Sequence, residues 1–393
     1  MDFFDNPYHK LNKRLLSFIG HWPNQSARKK IVHRVLIASW IMTIMIPEVG
    51  TIKLTDVWGS DLDTVFECVP SLGLHAINFV KWVSCIVNGD KLKKLLVFME
   101  ADWKSRENGK GSDVLRKYAE RGRILTVGYT CYMFLSACLN VSLPLMPLLL
   151  DVFAPLNESR PLKPLFRTEY FIDEEKLFVP IYLHGVLTTF TSITIVVAID
   201  TMYGAYTQYA CSKFAELGKE LEKIEANNDE SVEVSKNQDD TYHHIVKCVK
   251  KHKEAIEFCN LMESTYTAYF FFVTGVSILL MSFTGVQTVM RLDDPKLAIR
   301  YSAFTLGQIV HVFFGCWHGQ LLIDHSSSVN EAIYNSKWYK SSLRTRRLLT
   351  LIMLRSINPC RLSAGKLFFI SLETFSRIIK TAMSYFTVLT SLR

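Results

Sequence analysis

The chain has 393 residues, 49% of them hydrophobic and 12% aromatic, with a formal net charge of +8. That composition suits a polytopic membrane protein with substantial helices outside the bilayer. The positive balance calls for no nucleic acid or other acidic partner, because it sits largely in connectors that would face anionic lipid.

Residues 1–20 are polar and amphipathic and lack the short apolar core and cleavage site of a secretory leader. Residues 1–30 therefore read as a cytoplasmic segment, with the first span serving as insertion signal. Seven stretches then reach the roughly 20 apolar residues that a helix needs to cross the hydrocarbon core. They lie near residues 31–52, 64–87, 123–150, 178–210, 259–290, 298–323 and 364–392. The segment before span one and the second, fourth and sixth connectors hold thirty Lys and Arg, against seven in the first, third and fifth. Cytoplasmic loops retain that excess, so the N-terminus is expected inside and Arg393, after seven crossings, outside. A seven-span receptor that couples to G proteins runs the other way.

The expected fold is thus an all-α membrane protein with a cytoplasmic N-terminus and an extracellular C-terminus. Residues 31–323 hold spans one to six, 324–363 a cytoplasmic anchor segment and 364–393 the seventh helix. The third connector, 151–177, is rich in Pro and acids and carries the sequon Asn157-Glu158-Ser159, which an outer loop would expose to glycosylation. Phe214, Leu217, Leu221 and Ile224 keep helical spacing after span four, as do Ile245, Val249, Ile256 and Phe258 before span five. The polar run 226–240 between them is expected to be a flexible loop. Leu343–Ile357 reads as a basic helix with Leu348, Leu349, Ile352 and Met353 as apolar positions, ended by Pro359. Such extensions point to a cytoplasmic assembly domain, against the blander reading of helices lying at the lipid interface.

Isolated charges and chemical motifs narrow the function. Lys81 in span two is read as snorkelling to the cytoplasmic headgroups. Glu373 either favours cations in an inner vestibule or pairs with Arg377 one turn along. No internal repeat supports a transporter built from duplicated halves. The nine cysteines show no zinc spacing. Neither His243, His244 and His252 nor His311 and His318 has the Cys or carboxylate companions of a zinc site, so no metal or cofactor is expected. No Walker A, GxSxG or HExxH motif is present, which argues against an enzyme.

The C-terminal part is the most specific. Ala332-Ile333-Tyr334-Asn335-Ser336-Lys337-Trp338-Tyr339 follows span six, then Pro359, Ala364-Gly365-Lys366, Ser371-Leu372, Phe375 and the closing Ser384-Tyr385-Phe386-Thr387-Val388-Leu389. This succession resembles the C-terminal signature of the insect odorant receptors, and the length, seven spans and inverted orientation fit too. Asp200 and Phe214-x-x-Leu217 fit upstream. The resemblance implies a ligand-gated, non-selective cation channel of four subunits, each lining the pore with the second half of its seventh helix. It implies a heterotetramer with a shared co-receptor, in the plasma membrane of olfactory neuron dendrites. The co-receptor has a much longer second cytoplasmic loop than 211–258 here, so this chain looks like an odour-tuned subunit. The related gustatory receptors share the architecture but carry a different Thr-Tyr-hydrophobic tail. They remain an alternative, as does a metabotropic receptor.

The resemblance also assigns residues. Val388 matches the aliphatic gate, against the blander reading of ordinary packing, with Tyr385 and Leu392 on the same helical face and Ser391 as a hydrophilic lining position beyond it; Glu373 keeps the two readings given above. Tyr334, Trp338, Leu348 and Ile352 fall in the subunit-assembly region. Family pockets lie in the outer half of the membrane among helices two, three, four and six. There the chain offers His75 and Phe79; Ser136, Asn140 and Leu143; Tyr182, His184 and Thr188; and Tyr301, Phe304 and Gln308. A largely apolar pocket with a few polar groups suits a small volatile organic ligand.

Overall fold

Long helices dominate the computed structural model, which describes residues 3–54, 62–106, 112–153, 176–224 and 234–391, with Arg160, 164–166, Thr168, Tyr170 and Ile172 between. Asn157 and Leu392 lie outside the described residues. The helices are α1 (Lys10–Phe18), α2 (Ala27–Leu54), α3 (Leu62–Val87), α4 (Gly89–Arg106), α5 (Ser112–Ser142), α6 (Met146–Phe153), α7 (Phe178–Glu222), α8 (Val234–Met290), α9 (Pro295–Asn335), α10 (Leu343–Ile357) and α11 (Leu372–Ser391). Among the described residues, five stretches are long and apolar enough to cross a membrane, in α2, α5–α6, α7, α8 and α9. The second and seventh expected spans correspond to α3, of 26 residues, and α11, of 20.

Helices α7, α8 and α9 have 45, 57 and 41 residues. At about 1.5 Å per residue they run roughly 60–85 Å, at least twice the ~30 Å hydrocarbon core. Each continues as one rod into an extension. The helices expected after span four and before span five are therefore parts of α7 and α8. Helix α8 begins inside the stretch expected to be a polar loop, and no Pro or Gly interrupts it from Val234 to Thr274. Between α5 and α6, Pro144 and Pro147 break the third span into a 3-10 turn and a short helix, because proline lacks the N–H that the helix ladder needs.

Helix α7 is the axis, packed between α5 and α9, while α8 lies against α3, α9 and α11. From Ile195 to Phe214 every residue of α7 is buried, as in a helix surrounded on all sides. The extensions are tied by ion pairs: Lys213 Nζ reaches Asp102 at 3.1 Å, and the Tyr209 hydroxyl donates to the same carboxylate. At that end α1 packs on α5 and α7, with Phe4 against Trp22 and Phe3 against Trp103.

Helix α10 keeps the bounds read from sequence. The Ser342 hydroxyl caps its start by accepting from the Thr345 N–H, and Leu349 and Ile352 are buried. The seventh span differs from its expected start at Ala364. Ser363–Ala364 and Phe368–Phe369 pair antiparallel as a hairpin, and α11 begins only at Leu372. Three residues join the strands; Gly365 (φ 59°) and Lys366 (φ 60°) are left-handed and form the centre of a turn closed by the Leu367 N–H donating to the Ala364 carbonyl. The Gly365 N–H donates to the Thr267 carbonyl of α8, and a Cβ at Gly365 would lie 2.9 Å from the Phe271 ring.

Candidate ligand cavity and channel-lining helix

At the end of the bundle away from the extensions, α3, α5, α7 and α9 part around a cavity of about 860 Å³. Leu165, Phe166 and Thr168 cover it. That cover is fastened by Arg300, which donates to the Leu165 carbonyl, and by an ion pair between Arg160 and Asp151. Asp294 caps α9 at the mouth by accepting from the Lys296 and Leu297 N–H groups.

Of the residues read from sequence, His75, Ser136, Asn140, Leu143, Tyr301, Phe304 and Gln308 line this cavity. Phe79, Tyr182, His184 and Thr188 do not. Phe79 sits one turn from His75 and is partly exposed on the outside of the bundle. The Tyr182 hydroxyl donates to the Val141 carbonyl, joining α7 to the end of α5. His184 bonds to the hydroxyls of Tyr170 and Thr43 and packs on Trp40, so it is a structural link between α7 and α2. Thr188 back-bonds to the His184 carbonyl, while its neighbour Thr189 turns to the cavity with Ser192, Ile193 and Val196. Those four positions form one helical face, one residue of rotation from the face chosen.

Two lining residues carry unmet hydrogen-bonding capacity. His75 is 1% exposed, and neither ring nitrogen has a hydrogen-bond partner among the described residues; Nε2 stands 3.7 Å from the Glu48 carboxylate. The Oε1 atom of Gln308 is likewise buried and unbonded there. A buried polar group left in that state costs free energy that a suitable guest removes.

The cavity floor is ionic. His311 lines it and meets Lys81 at 2.8 Å, and Lys81 Nζ lies 2.6 Å from Asp200. Tyr129 and Tyr269 donate to the two oxygens of that carboxylate at 3.0 and 2.8 Å. Five helices thus meet at one buried charge cluster. Lys81 is 0% exposed, so its expected snorkelling is corrected. Its counter-ion on α7 holds the ammonium inside, where the headgroups would otherwise draw it.

Helix α11 packs through Thr374, Ile378 and Ala382, with Phe375, Ile379, Phe386 and Leu389 partly covered, and leaves its other positions exposed. Arg377, Thr381, Ser384, Val388 and Ser391, spaced 4, 3, 4 and 3, are all exposed and share a face. Val388 (53% exposed) is its one apolar member, with Tyr385 (50%) alongside. Glu373 is exposed and pairs with Arg377, one of its two sequence readings. Near α10, Tyr334 is exposed, Trp338 and Leu348 pack partly into the chain's own core, and Ile352 is buried within it. The open apolar positions there are instead Leu343, Leu351, Leu354 and Ile357.

His244 was expected to lack metal-binding companions. The structure brings Cys248 and Glu220 to it, because α7 and α8 run side by side in their extensions.

The sequence model of the family described as "7tm Odorant receptor" matches residues 61–383. The chain is 23% identical to Odorant receptor 13a of Drosophila melanogaster, covering 99% of this chain and 97% of that protein. It is 22% identical to Odorant receptor Or2 of Anopheles gambiae over 70% of each chain. Its fold is similar to that of the olfactory receptor OR5 from Machilis hrabei solved in complex with eugenol, with a TM-score of 0.80 at 15% identity over 98% of this chain and 97% of that one. These relatives are receptors and not enzymes. With the family model spanning the bundle from α3 into α11, the chain belongs to the insect odorant receptors.

Proposed function

We propose that this receptor is the odour-binding subunit of a heteromeric, ligand-gated, non-selective cation channel. The carrying observation is the exposed face of α11, where hydroxyl side chains flank Val388. A helix with three charged residues and seven Ser or Thr makes a poor lipid-facing span. Placed around a shared axis, that face supplies a water-lined path and one apolar ring able to close it by dewetting. The open apolar positions on α10 call for cover, which neighbouring subunits, the co-receptor among them, would provide.

The cavity supports a small organic ligand: its walls are mostly apolar, with His75 and Gln308 as polar anchors. The related OR5 was solved with eugenol, and a ligand of comparable size suits this space. The excess of Lys and Arg at the extension end orients that end to the cytoplasm and the cavity to the outside, in a plasma membrane setting. Ligand opens the pore by as much as it prefers the open arrangement of α8 and α11.

Whole-cell recording tests this reading, using cells that express the chain with or without the co-receptor while a volatile panel is applied. The expected result is a fast cation current that needs both subunits and survives G-protein blockade. A slow response abolished by that blockade overturns the channel reading.

A further inference from the structure

We propose that Glu220, His244 and Cys248 form a binding site for a divalent transition-metal ion of the zinc class, which clamps the extension of α7 to that of α8. The three donor atoms all lie within 4.8 Å of one another. Cys248 Sγ is 3.8 Å from Glu220 Oε2 and 3.8 Å from His244 Nε2. Tetrahedral zinc, with bonds of about 2.3 Å to sulfur and about 2.0–2.2 Å to nitrogen and oxygen, sets its donors roughly 3.5 Å apart. The site is therefore within a few tenths of an ångström of that spacing along both edges from the sulfur.

The chain places these donors for simple reasons. His244 and Cys248 are four residues apart on α8 and so share a face. Glu220 reaches them from the last turn of α7, because the two extensions are packed together. Cys248 is buried and His244 exposed, so the site has an inner wall and an opening to solvent. One thiolate, one imidazole and one carboxylate suit zinc or its neighbours and are wrong for Mg²⁺ or Ca²⁺, which take oxygen donors. A water molecule completes four-coordination.

Lys251 is the competitor. Its ammonium lies 2.5 Å from Glu220 Oε1 and 3.9 Å from Glu216. It engages the carboxylate oxygen that does not face Cys248, leaving Oε2 for the ion. Binding breaks the Cys248 S–H bond and releases its proton to solvent, while metal–sulfur, metal–nitrogen and metal–oxygen bonds form. No oxidant or reductant is needed. The clamp joins the two ends of the α7–α8 connection, on the part of the molecule read above as the assembly side.

The experiment titrates Co²⁺, as a coloured substitute for Zn²⁺, into the purified full-length chain under reducing conditions. The expected result is one Co²⁺ per chain, with visible bands of a tetrahedral site and a near-ultraviolet thiolate-to-cobalt band, both displaced by one equivalent of Zn²⁺. Cys248→Ser should remove the thiolate band. His244→Ala, at an exposed position where folding is not at stake, should weaken binding at least about tenfold. Absence of the thiolate band from the parent protein overturns the site. So does a band of equal strength and affinity in the His244→Ala protein.

Discussion

His75 and Gln308 face the cavity with hydrogen-bonding atoms that have no partner among the described residues. A guest with a hydroxyl can accept from the imidazole N–H and donate to the Gln308 carbonyl, and a hydrocarbon can do neither. Gln308→Leu keeps the volume and removes the acceptor. It should weaken the response to a hydroxylated ligand about fivefold, the worth of one net hydrogen bond of about 1 kcal/mol. The dose–response for a hydrocarbon of the same size should not move, and parallel loss for both ligands would show a packing effect. Lys81 is the opposite case, a buried charge already satisfied. Lys81→Met leaves Asp200 without its cation and should cost about 3–5 kcal/mol, read as a lower thermal midpoint in detergent. Replacing Asp200 as well should recover part of that loss. A lone lysine in an apolar run is visible in the sequence, but its partner lies 119 residues away on another span.

The elements were legible in proportion to the contrast in their sequences. Helix α10 stood out because a proline follows it and its polar and apolar positions alternate at helical spacing. The cavity face of α7 did not, because Thr, Ser, Ile and Val surround that helix on all sides and periodicity carries no direction there. The hairpin before α11 was hidden by Leu367, Phe368, Phe369 and Ile370, an apolar run that reads as membrane helix until the two left-handed residues ahead of it are seen. Helix α11 also yields a test on its own scale. Val388 interrupts a row of hydroxyl side chains, so Val388→Ser would make the face continuous and remove the apolar ring. Co-expressed with the co-receptor, this variant should carry a severalfold larger current without ligand. Unchanged standing current and unchanged block would place the closure elsewhere on the helix.

At the scale of the whole molecule, the extension end is stabilised by buried neutral histidines as well as by ion pairs. His9 sits among Phe3, Phe4 and Trp103, and His252 packs edge-on to Phe214. Burial lowers both from the usual 6.5 to about 4; the Arg355 charge adds to the shift at His252. Above pH 6.5 both rings are neutral whether the chain is folded or not, and they contribute no pH dependence. Between 6.5 and about 4 the unfolded chain takes up protons that the folded chain refuses, so stability falls as the pH falls. Below about 4 the contribution levels off. The part that His252 contributes is isolated by difference. His252→Asn cannot titrate, and its thermal midpoint should fall less than that of the parent between pH 6.5 and 4.5. Equal slopes in the two proteins would mean that His252 takes up its proton without unfolding, and that water reaches the packing between α7, α8 and α10 in the folded receptor.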